Sequence, residues 1–180
     1  MTDNENDWIR KSLEGDHDAF ESLIRRYQHM IYTLAYRMSG SAADAEDLTQ
    51  ETFIRAHEKL SGFRTESRFS TWLYRLAINQ CLNWRKRTQR RERLHADWEA
   101  QREIDLAPDD IVIWQVQSAL LQLNPKQRAA VVLTIYDGMT HAEAASVLGT
   151  SETTVSWRLF SARTKLKRLL ESTKQRYVDE

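Results

Sequence analysis

Apolar residues recur at helical spacing along almost the whole chain of 180 residues, with little to interrupt them. Only two proline and five glycine residues occur, and these are the residues that most often break helices. The pattern predicts an all-α fold. The expected helices span about residues 5–14, 17–38, 44–60, 68–92, 109–122, 125–136, 140–148 and 152–174.

The helices fall into two groups, separated by a polar, acidic stretch at residues 93–110. We therefore predict two small helical domains, residues 1–92 and 111–180, joined by an acidic linker. One cysteine excludes an internal disulfide, and the chain has no apolar run approaching about 18 residues. These features predict a cytoplasmic protein with no signal peptide and no membrane insertion.

Sites of enzymatic chemistry are not predicted. The five His residues and Cys81 lack metal-ligand spacing, and no glycine-rich phosphate loop, nucleophile elbow or paired-carboxylate site is visible. We expect no cofactor, no small-molecule substrate and no catalytic activity.

The formal net charge of zero conceals blocks of opposite sign. Residues 1–62 carry 7 basic and 12 acidic side chains, whereas residues 63–93 carry 9 basic and 2 acidic ones. Residues 94–112 are again acidic, and the remainder of the chain is basic. Such blocks indicate partners: nucleic acid for the basic blocks and a basic protein surface for the acidic one.

The basic block combines arginine with aromatic side chains, a mixture suited to unpaired nucleic acid because displaced bases stack on aromatic rings. At 100° per residue, Leu73, Leu76, Ala77, Cys81 and Trp84 face the core. An adjoining outward stripe carries Trp72, Arg75, Asn79, Asn83 and Lys86. Phe63 and Arg64 precede this helix in a loop that could enclose a flipped base. The alternative is that Trp72 fills the edge of the core and the charges are solvated.

The helix predicted at residues 44–60 carries much of the acidic block. Its inward side chains are Ala45, Leu48, Thr52, Ala56 and Leu60. Asp47, Gln50, Glu51, Ile54 and Glu58 lie along the outer face. A solvated face is the simplest interpretation, but an apolar Ile54 ringed by charge resembles the centre and rim of a protein interface.

The C-terminal part has the pattern of a helix-turn-helix. Thr140 and Glu143 have capping-box spacing, Gly149 permits a tight turn, and Ser151 can cap a second helix. The second helix is placed to enter a major groove. Near its start the outward residues are Glu152, Thr153, Ser156, Trp157 and Phe160, and Arg158, Arg163, Lys165 and Lys167 are available to phosphates.

From about Asp18 to Leu170 the chain resembles the bacterial sigma factors of the extracytoplasmic-function group. Four segments, in this order and spacing, carry the resemblance. They are Asp47-Leu48-Thr49-Gln50-Glu51-Thr52-Phe53, then Phe63-Arg64 with Phe69 to Asn79, then Asn124-Pro125-Lys126-Gln127-Arg128, and finally Glu143-Ala144-Ala145 through Thr154-Val155 to Arg158 and Ala162-Arg163. The resemblance implies a factor that binds core RNA polymerase, directs it to specific promoters and helps to nucleate DNA melting.

The resemblance also implies roles for residues that match the family. Asp47, Gln50 and Glu51 would bind the clamp helices of the polymerase β′ subunit. The minus-ten element would be read and melted by Phe63, Arg64, Trp72, Arg75 and Asn79. The minus-thirty-five element would be bound by Thr153, Arg158, Phe160 and Arg163, with this domain resting on the β flap.

The family further implies a stress-response role and an anti-sigma partner. The chain departs from the family pattern at Ser156, Trp157 and Ser161, positions that we expect to face bases, so the promoter sequence does not transfer. Two other classes remain open. A free-standing helix-turn-helix regulator would bind DNA without polymerase, and a nucleic-acid-processing enzyme would need an acidic metal cluster beside the basic helix.

Overall fold

The computed structural model of the protein describes residues 3–64, 67–94 and 108–176. The all-α prediction is confirmed across these ranges, and the helix bounds agree closely with those expected. The helices are α1 (Asp3–Leu13), α2 (His17–Ser39), α3 (Ala42–Lys59), α4 (Phe69–Leu94), α5 (Pro108–Leu121), α6 (Pro125–Val131), α7 (His141–Leu148) and α8 (Glu152–Arg176). A 3-10 turn follows α3 (Leu60–Gly62), and a π-helical turn follows α6 (Val132–Tyr136).

Side-chain caps and glycines set several helix ends. The predicted capping box is confirmed: Thr140 accepts from the amide of Glu143, whose carboxylate accepts from the Thr140 amide at 2.9 Å. The predicted turn at Gly149 is also confirmed, with φ at 58°, a left-handed conformation that glycine adopts without strain. Asn124 and Gln127 form a second capping box at the start of α6.

The N-terminal domain is built from α1 to α4. The inward face of α3 is buried as expected, with Ala45, Leu48, Thr52, Ala56 and Leu60 all shielded from solvent. On α4, Leu73, Ala77 and Cys81 are buried, and Leu76 and Trp84 are half-buried against the same core. Buried residues that the sequence pattern did not assign to the core include Phe53, Tyr74 and Ile78.

The C-terminal domain packs directly on the N-terminal one, which the sequence did not predict. The apolar cluster around Ile31 and Leu34 of α2 continues into Ala129, Val132 and Leu133 of the α6 region and into α7. A second cluster of Leu120, Leu123, Val131 and Ala162 lies within the C-terminal domain. The predicted acidic linker falls largely on residues 95–107, outside the described residues; its ends belong to α4 and α5.

Arg128 on α6 links the two domains from a buried position, with 1% of its surface exposed. Its guanidinium donates to the carbonyls of Leu120 at 2.8 Å and Leu121 in the last turn of α5, and to that of Leu123 at 3.3 Å just after this helix. A further bond at 2.5 Å reaches the carbonyl of Met38, at the C-terminal end of α2. Burial lowers the pKa of Arg128 to about 10, which leaves the group charged at neutral pH.

We predict that Arg128→Ala lowers the free energy of unfolding by at least about 3 kcal/mol, because it leaves several buried carbonyls without a donor. Urea unfolding followed by circular dichroism measures this. Arg168→Ala, which removes an exposed arginine on α8, is the matched control and should change stability by no more than about 0.5 kcal/mol. Equal unfolding midpoints for the two variants would contradict the role assigned to Arg128.

Candidate nucleic-acid and protein interfaces

The outer face of α3 has the exposure that the sequence predicted. Asp47, Gln50 and Glu58 are exposed, and Ile54 leaves 60% of its surface to solvent. Carboxylates lie one turn away from this exposed isoleucine on either side. Such a surface suits a partner that offers an apolar contact surrounded by basic residues.

Glu51 differs from its neighbours on this face because it already has partners. It lies 3.3 Å from Arg55 on the same helix and 3.8 Å from Arg87 on α4, and its side chain is about one-third exposed, at 35%. Part of its charge is therefore balanced within the domain, and Asp47 is the more available carboxylate.

The predicted outward stripe of Trp72, Arg75, Asn79, Asn83 and Lys86 lies on α4 and is here called the α4 stripe; it is outward-facing except at its start. Arg75, Asn79, Asn83 and Lys86 are exposed. Trp72 is half-buried and packs against Phe63 and Phe69, with ring centroids 5.3 Å away in both cases. The alternative interpretation of Trp72, that it fills the edge of the core, thus holds for part of its ring.

The Phe63 ring is mostly buried, although the sequence predicted that its loop could enclose a base. It retains 8% exposure and meets the Phe69 ring edge-on at 5.5 Å, whereas Arg64 beside it is exposed. Phe63, Phe69 and Trp72 pack together at the start of α4, so little of the Phe63 ring is open to solvent. The roles of Phe63, Arg64 and Trp72 in binding a base stay predictions.

On α8 the residues opposite the core are open. Val155 and Ala162 are completely buried, while Trp157 and Phe160 expose 65% and 70% of their surfaces. Thr153, Ser156 and Arg163 are also exposed, and Arg158 is half-buried. The Ser156 hydroxyl lies 2.9 Å from Nδ1 of His141, so the first turns of α7 and α8 are held together at the end of the helix-turn-helix that would meet DNA.

Two polar residues of α8 bond within the domain instead. Ser161 is half-buried and accepts a hydrogen bond from Gln127 at 2.7 Å, so part of its hydrogen-bonding capacity is used within the domain. Lys165 donates to the carbonyl of Gln122 at 2.6 Å, near the end of α5, and is not a free phosphate contact.

An apolar groove runs between α5, the π-helical turn and α8. Ile135 and Tyr136 are exposed at its edge, at 65% and 39%. Arg163 and Lys167 place positive charge beside it. Its apolar lining comes mainly from Val116, Val131, Ile135, Leu159, Leu166 and Leu170.

A buried carboxylate lies where the domains meet. Asp137, which follows the π-helical turn, is 3.5 Å from Arg37 of α2. Burial raises its pKa to about 6, against the opposing effect of Arg37. The Tyr74 hydroxyl of α4 lies against the same carboxylate, and its pKa is raised above the usual value, chiefly by burial. Sequence analysis missed this group because a lone Asp-Gly pair reads as an ordinary turn.

Two further residues near the candidate surfaces were also missed. Arg68, just before α4, is exposed, and His141 opens α7. The signal for Arg68 was its place in the basic block, and the signal for His141 was its position at the start of the helix-turn-helix.

Within residues 3–64, 67–94 and 108–176, no helix is long and apolar enough to cross a membrane.

An aromatic and basic helix joined to a helix-turn-helix places the protein among DNA-binding transcription proteins. The sequence matches the family model of Sigma-70 region 2 over residues 23–91 and that of Sigma-70, region 4 over residues 113–166. It is 36% identical over 169 residues to the ECF RNA polymerase sigma factor SigM of Mycobacterium tuberculosis, a match that covers 88% of this chain and 80% of that one.

A second relative, the ECF RNA polymerase sigma factor SigW of Bacillus subtilis, is 31% identical over 176 residues, with 90% of this chain and 94% of that one covered. Among solved structures, CnrH in complex with the cytosolic domain of CnrY has a TM-score of 0.72 at 27% identity, over 94% of this chain and 99% of that one. The chain belongs to the extracytoplasmic-function sigma factors. It binds core RNA polymerase and acts in promoter-specific transcription initiation.

The different burial of two residues predicted to contact the minus-ten element gives a test. Phe63→Ala should lower the free energy of unfolding by about 3–5 kcal/mol, because it removes a ring from a packed aromatic cluster. Asn79→Ala, at an exposed position of α4, should leave it within about 0.5 kcal/mol of wild type. Thermal and urea unfolding of both variants measure this, and an unchanged stability in Phe63→Ala would contradict the packing role assigned to this ring.

Proposed function

We propose that the outer face of α3 docks on the β′ clamp helices of core RNA polymerase. The observation that carries this is Ile54, an apolar side chain left 60% exposed among acidic neighbours. A basic helical surface with an apolar centre complements it in both charge and hydrophobicity. Asp47 and Gln50 form its rim with Glu51, whose weaker contribution follows from its partners Arg55 and Arg87.

The minus-ten element is assigned to the α4 stripe and the loop before it. Asn79, Asn83 and Lys86 are exposed in a row along the helix, and Arg64 is exposed in the loop. Amide groups suit the edges of unpaired bases, and the cationic groups suit the phosphates between them. Trp72 offers only part of its ring, on the side not covered by Phe63 and Phe69.

The minus-thirty-five element is assigned to the N-terminal half of α8. Trp157 and Phe160 are large apolar groups on the face opposite the core, beside exposed Thr153 and Ser156. This face suits thymine methyl groups in a major groove better than a set of hydrogen bonds. Arg163, exposed on the flank of the helix, is assigned to phosphate, and so is Arg158 in part.

The apolar groove beside Ile135 is assigned to the polymerase β flap. The groove needs an apolar segment to cover it, and it lies on the C-terminal domain that would rest on the flap. This places a polymerase contact on each domain.

An anti-sigma protein is a further proposed partner. The solved relatives CnrH and RpoE of Bartonella quintana were determined with the cytosolic domain of CnrY and with the anti-sigma factor NepR. We assign the protein to the cytoplasm, where polymerase and promoters are, and assign it no catalysis of its own.

Transcription from genomic fragments tests the function as a whole. Core polymerase with this protein should give discrete transcript starts that core alone does not give. Identical transcripts in both reactions would favour a free-standing helix-turn-helix regulator, in which case the protein alone should still protect a duplex from nuclease.

We predict that Asp47→Lys with Glu51→Lys weakens binding to core polymerase by about 2–5 kcal/mol, because like charges would meet at the interface. Affinity is measured by fluorescence anisotropy of the labelled factor, and circular dichroism monitors folding. The double variant Glu14→Lys with Glu21→Lys reverses two exposed acids, one just after α1 and one on α2, and is the matched control. Equal losses in both variants would mean that overall charge, and not the α3 face, governs binding.

We predict that Trp157→Ala reduces discrimination among minus-thirty-five sequences, since apolar contact with bases would be lost. Arg163→Ala should weaken all sequences alike and lower the salt dependence by about one charge. Competitive selection on randomised duplex, at several salt concentrations, separates the two effects. An unchanged preference in Trp157→Ala would remove this ring from the recognition surface.

A further inference from the structure

A buried carboxylate of α1 has no part in the surfaces assigned so far. Glu5 lies in the first turn of this helix and leaves only 3% of its surface exposed. Its Oε2 atom accepts a hydrogen bond from the Tyr27 hydroxyl of α2 at 2.5 Å, and Nε of Arg26 lies 3.4 Å from the same oxygen. Burying a carboxylate is costly unless donors surround it, and an apolar pair at such a position is often at least as stable. Stability alone therefore does not account for an acid at this position.

The Tyr27 ring links this carboxylate to the start of α4. It contacts the Phe69 ring, and the two ring centroids are 5.5 Å apart. Burial, reinforced by the bond to Glu5, raises the pKa of Tyr27 to about 12, so the phenol keeps its proton and stays a donor at neutral pH. A tyrosine that is bonded at its hydroxyl is held at both ends, whereas a phenylalanine in its place would be held by packing alone. The hydrogen bond therefore fixes where this ring lies against Phe69.

Phe69 in turn supports the residues assigned to the minus-ten element. Its ring centroid lies 5.5 Å from that of Phe63 and 5.3 Å from that of Trp72. Phe63 is followed directly in the chain by Arg64, which is exposed. The four rings of Tyr27, Phe63, Phe69 and Trp72 thus form one continuous group, here called the aromatic cluster. The buried carboxylate is at one end of this cluster and the side chains assigned to DNA are at the other.

The position of the aromatic cluster matters because an unpaired base is bound by short-range contacts. Groups that bind a ligand have to be held within about 0.5 Å of their working positions, by packing and by hydrogen bonds from residues behind them. Arg64 lies in a loop, where no helix holds the backbone on both sides. Packing of Phe63 in the cluster is the nearest rigid support for this loop. A bond that fixes the cluster therefore also fixes the start of the loop.

We propose that Glu5 and Tyr27 are positioning residues for minus-ten recognition, because their hydrogen bond fixes the aromatic cluster from which Arg64 and Trp72 meet the unpaired strand. The proposal rests on the assignment of the minus-ten element to this loop and to the α4 stripe. Both residues act through the cluster and neither touches DNA. Loss of the bond should therefore slow strand opening, while binding of the duplex by the C-terminal domain stays as it is.

The hydrogen bond can be broken from either end. Glu5→Ala removes the acceptor, and Tyr27→Phe removes the donor but keeps the ring against Phe69. Glu5→Gln is the conservative variant, because its amide oxygen can still accept from the tyrosine hydroxyl. The matched control is Ile9→Val, which shortens a buried side chain of the same helix without touching the bond. All variants are compared as full-length chains with core polymerase, at a temperature where circular dichroism shows each of them to be folded.

Two steps are measured on a promoter mapped from the transcript starts. Closed-complex affinity, from anisotropy of labelled duplex at low temperature, should be the same for wild type and all variants. The rate at which unpaired thymines become reactive to permanganate should fall roughly threefold to tenfold in Glu5→Ala and in Tyr27→Phe, which is the range of one lost hydrogen bond. Glu5→Gln and Ile9→Val should open the promoter at the wild-type rate. The double variant Glu5→Ala with Tyr27→Phe should be no slower than either single variant, because both remove the same bond.

A further variant, Arg64→Ala, separates this proposal from the assignment on which it rests. If Arg64→Ala slows opening while Glu5→Ala and Tyr27→Phe open at the wild-type rate, the positioning role is wrong and the minus-ten assignment stands. If Arg64→Ala also opens at the wild-type rate, the assignment of the loop fails and the proposal with it. Equal slowing in Ile9→Val would show that loss of stability governs opening, and additive effects in the double variant would show that the two residues do not act through one bond.

Discussion

One buried cation organises the way the two domains meet. The Arg128 guanidinium has no carboxylate beside it in the described structure; its bonds go to carbonyls at the C-terminal ends of α5 and α2. A buried charge is costly unless it is paired and hydrogen-bonded. Here the carbonyls at the negative ends of two helices compensate the buried charge. The hydrogen bonds of Arg128 therefore help to fix the position of α2 relative to α5 and α6.

The two faces of helix α4 have different surroundings. Its inner face, with Leu73, Ala77 and Cys81, fills the core of the N-terminal domain. Burial raises the pKa of the Cys81 thiol to about 12, so this cysteine serves as an apolar residue and not as a nucleophile. The outer face keeps amide and cationic groups in solvent. Because the aromatic rings at its start pack against the core, the start of the helix is fixed within the N-terminal domain.

The sequence was sufficient for local structure and for much of the exposed surface. Capping chemistry at Thr140 and Glu143, the left-handed Gly149 and the open Ile54 are short-range features, set by neighbours within one or two turns. Contacts with other elements were not predictable in this way. Phe63 and Ser161 were expected at DNA-binding surfaces, and the structure adds the contacts that they make with Phe69 and Gln127. Residue type alone does not reveal such partners.

Contacts between the domains were beyond prediction for a related reason. Arg75 and Ser146 are 71 positions apart in the chain. Both side chains are exposed to solvent, although they are hydrogen-bonded to each other. An arginine on an amphipathic surface has the same pattern whether it meets phosphate, water or the end of another helix. The π-helical turn after α6 was likewise hidden within a pattern of ordinary helical spacing.

Gly40 carries an evolutionary consequence. Its φ of 81° ends α2 in a conformation that other residues adopt with strain, and its missing side chain is the space that Leu121 occupies. Replacement by alanine would strain the backbone and would also bring the new Cβ against the side chain of Leu121 in the other domain. Related chains with a larger residue at this site should therefore need either another side-chain position at Leu121 or a different packing of the two domains.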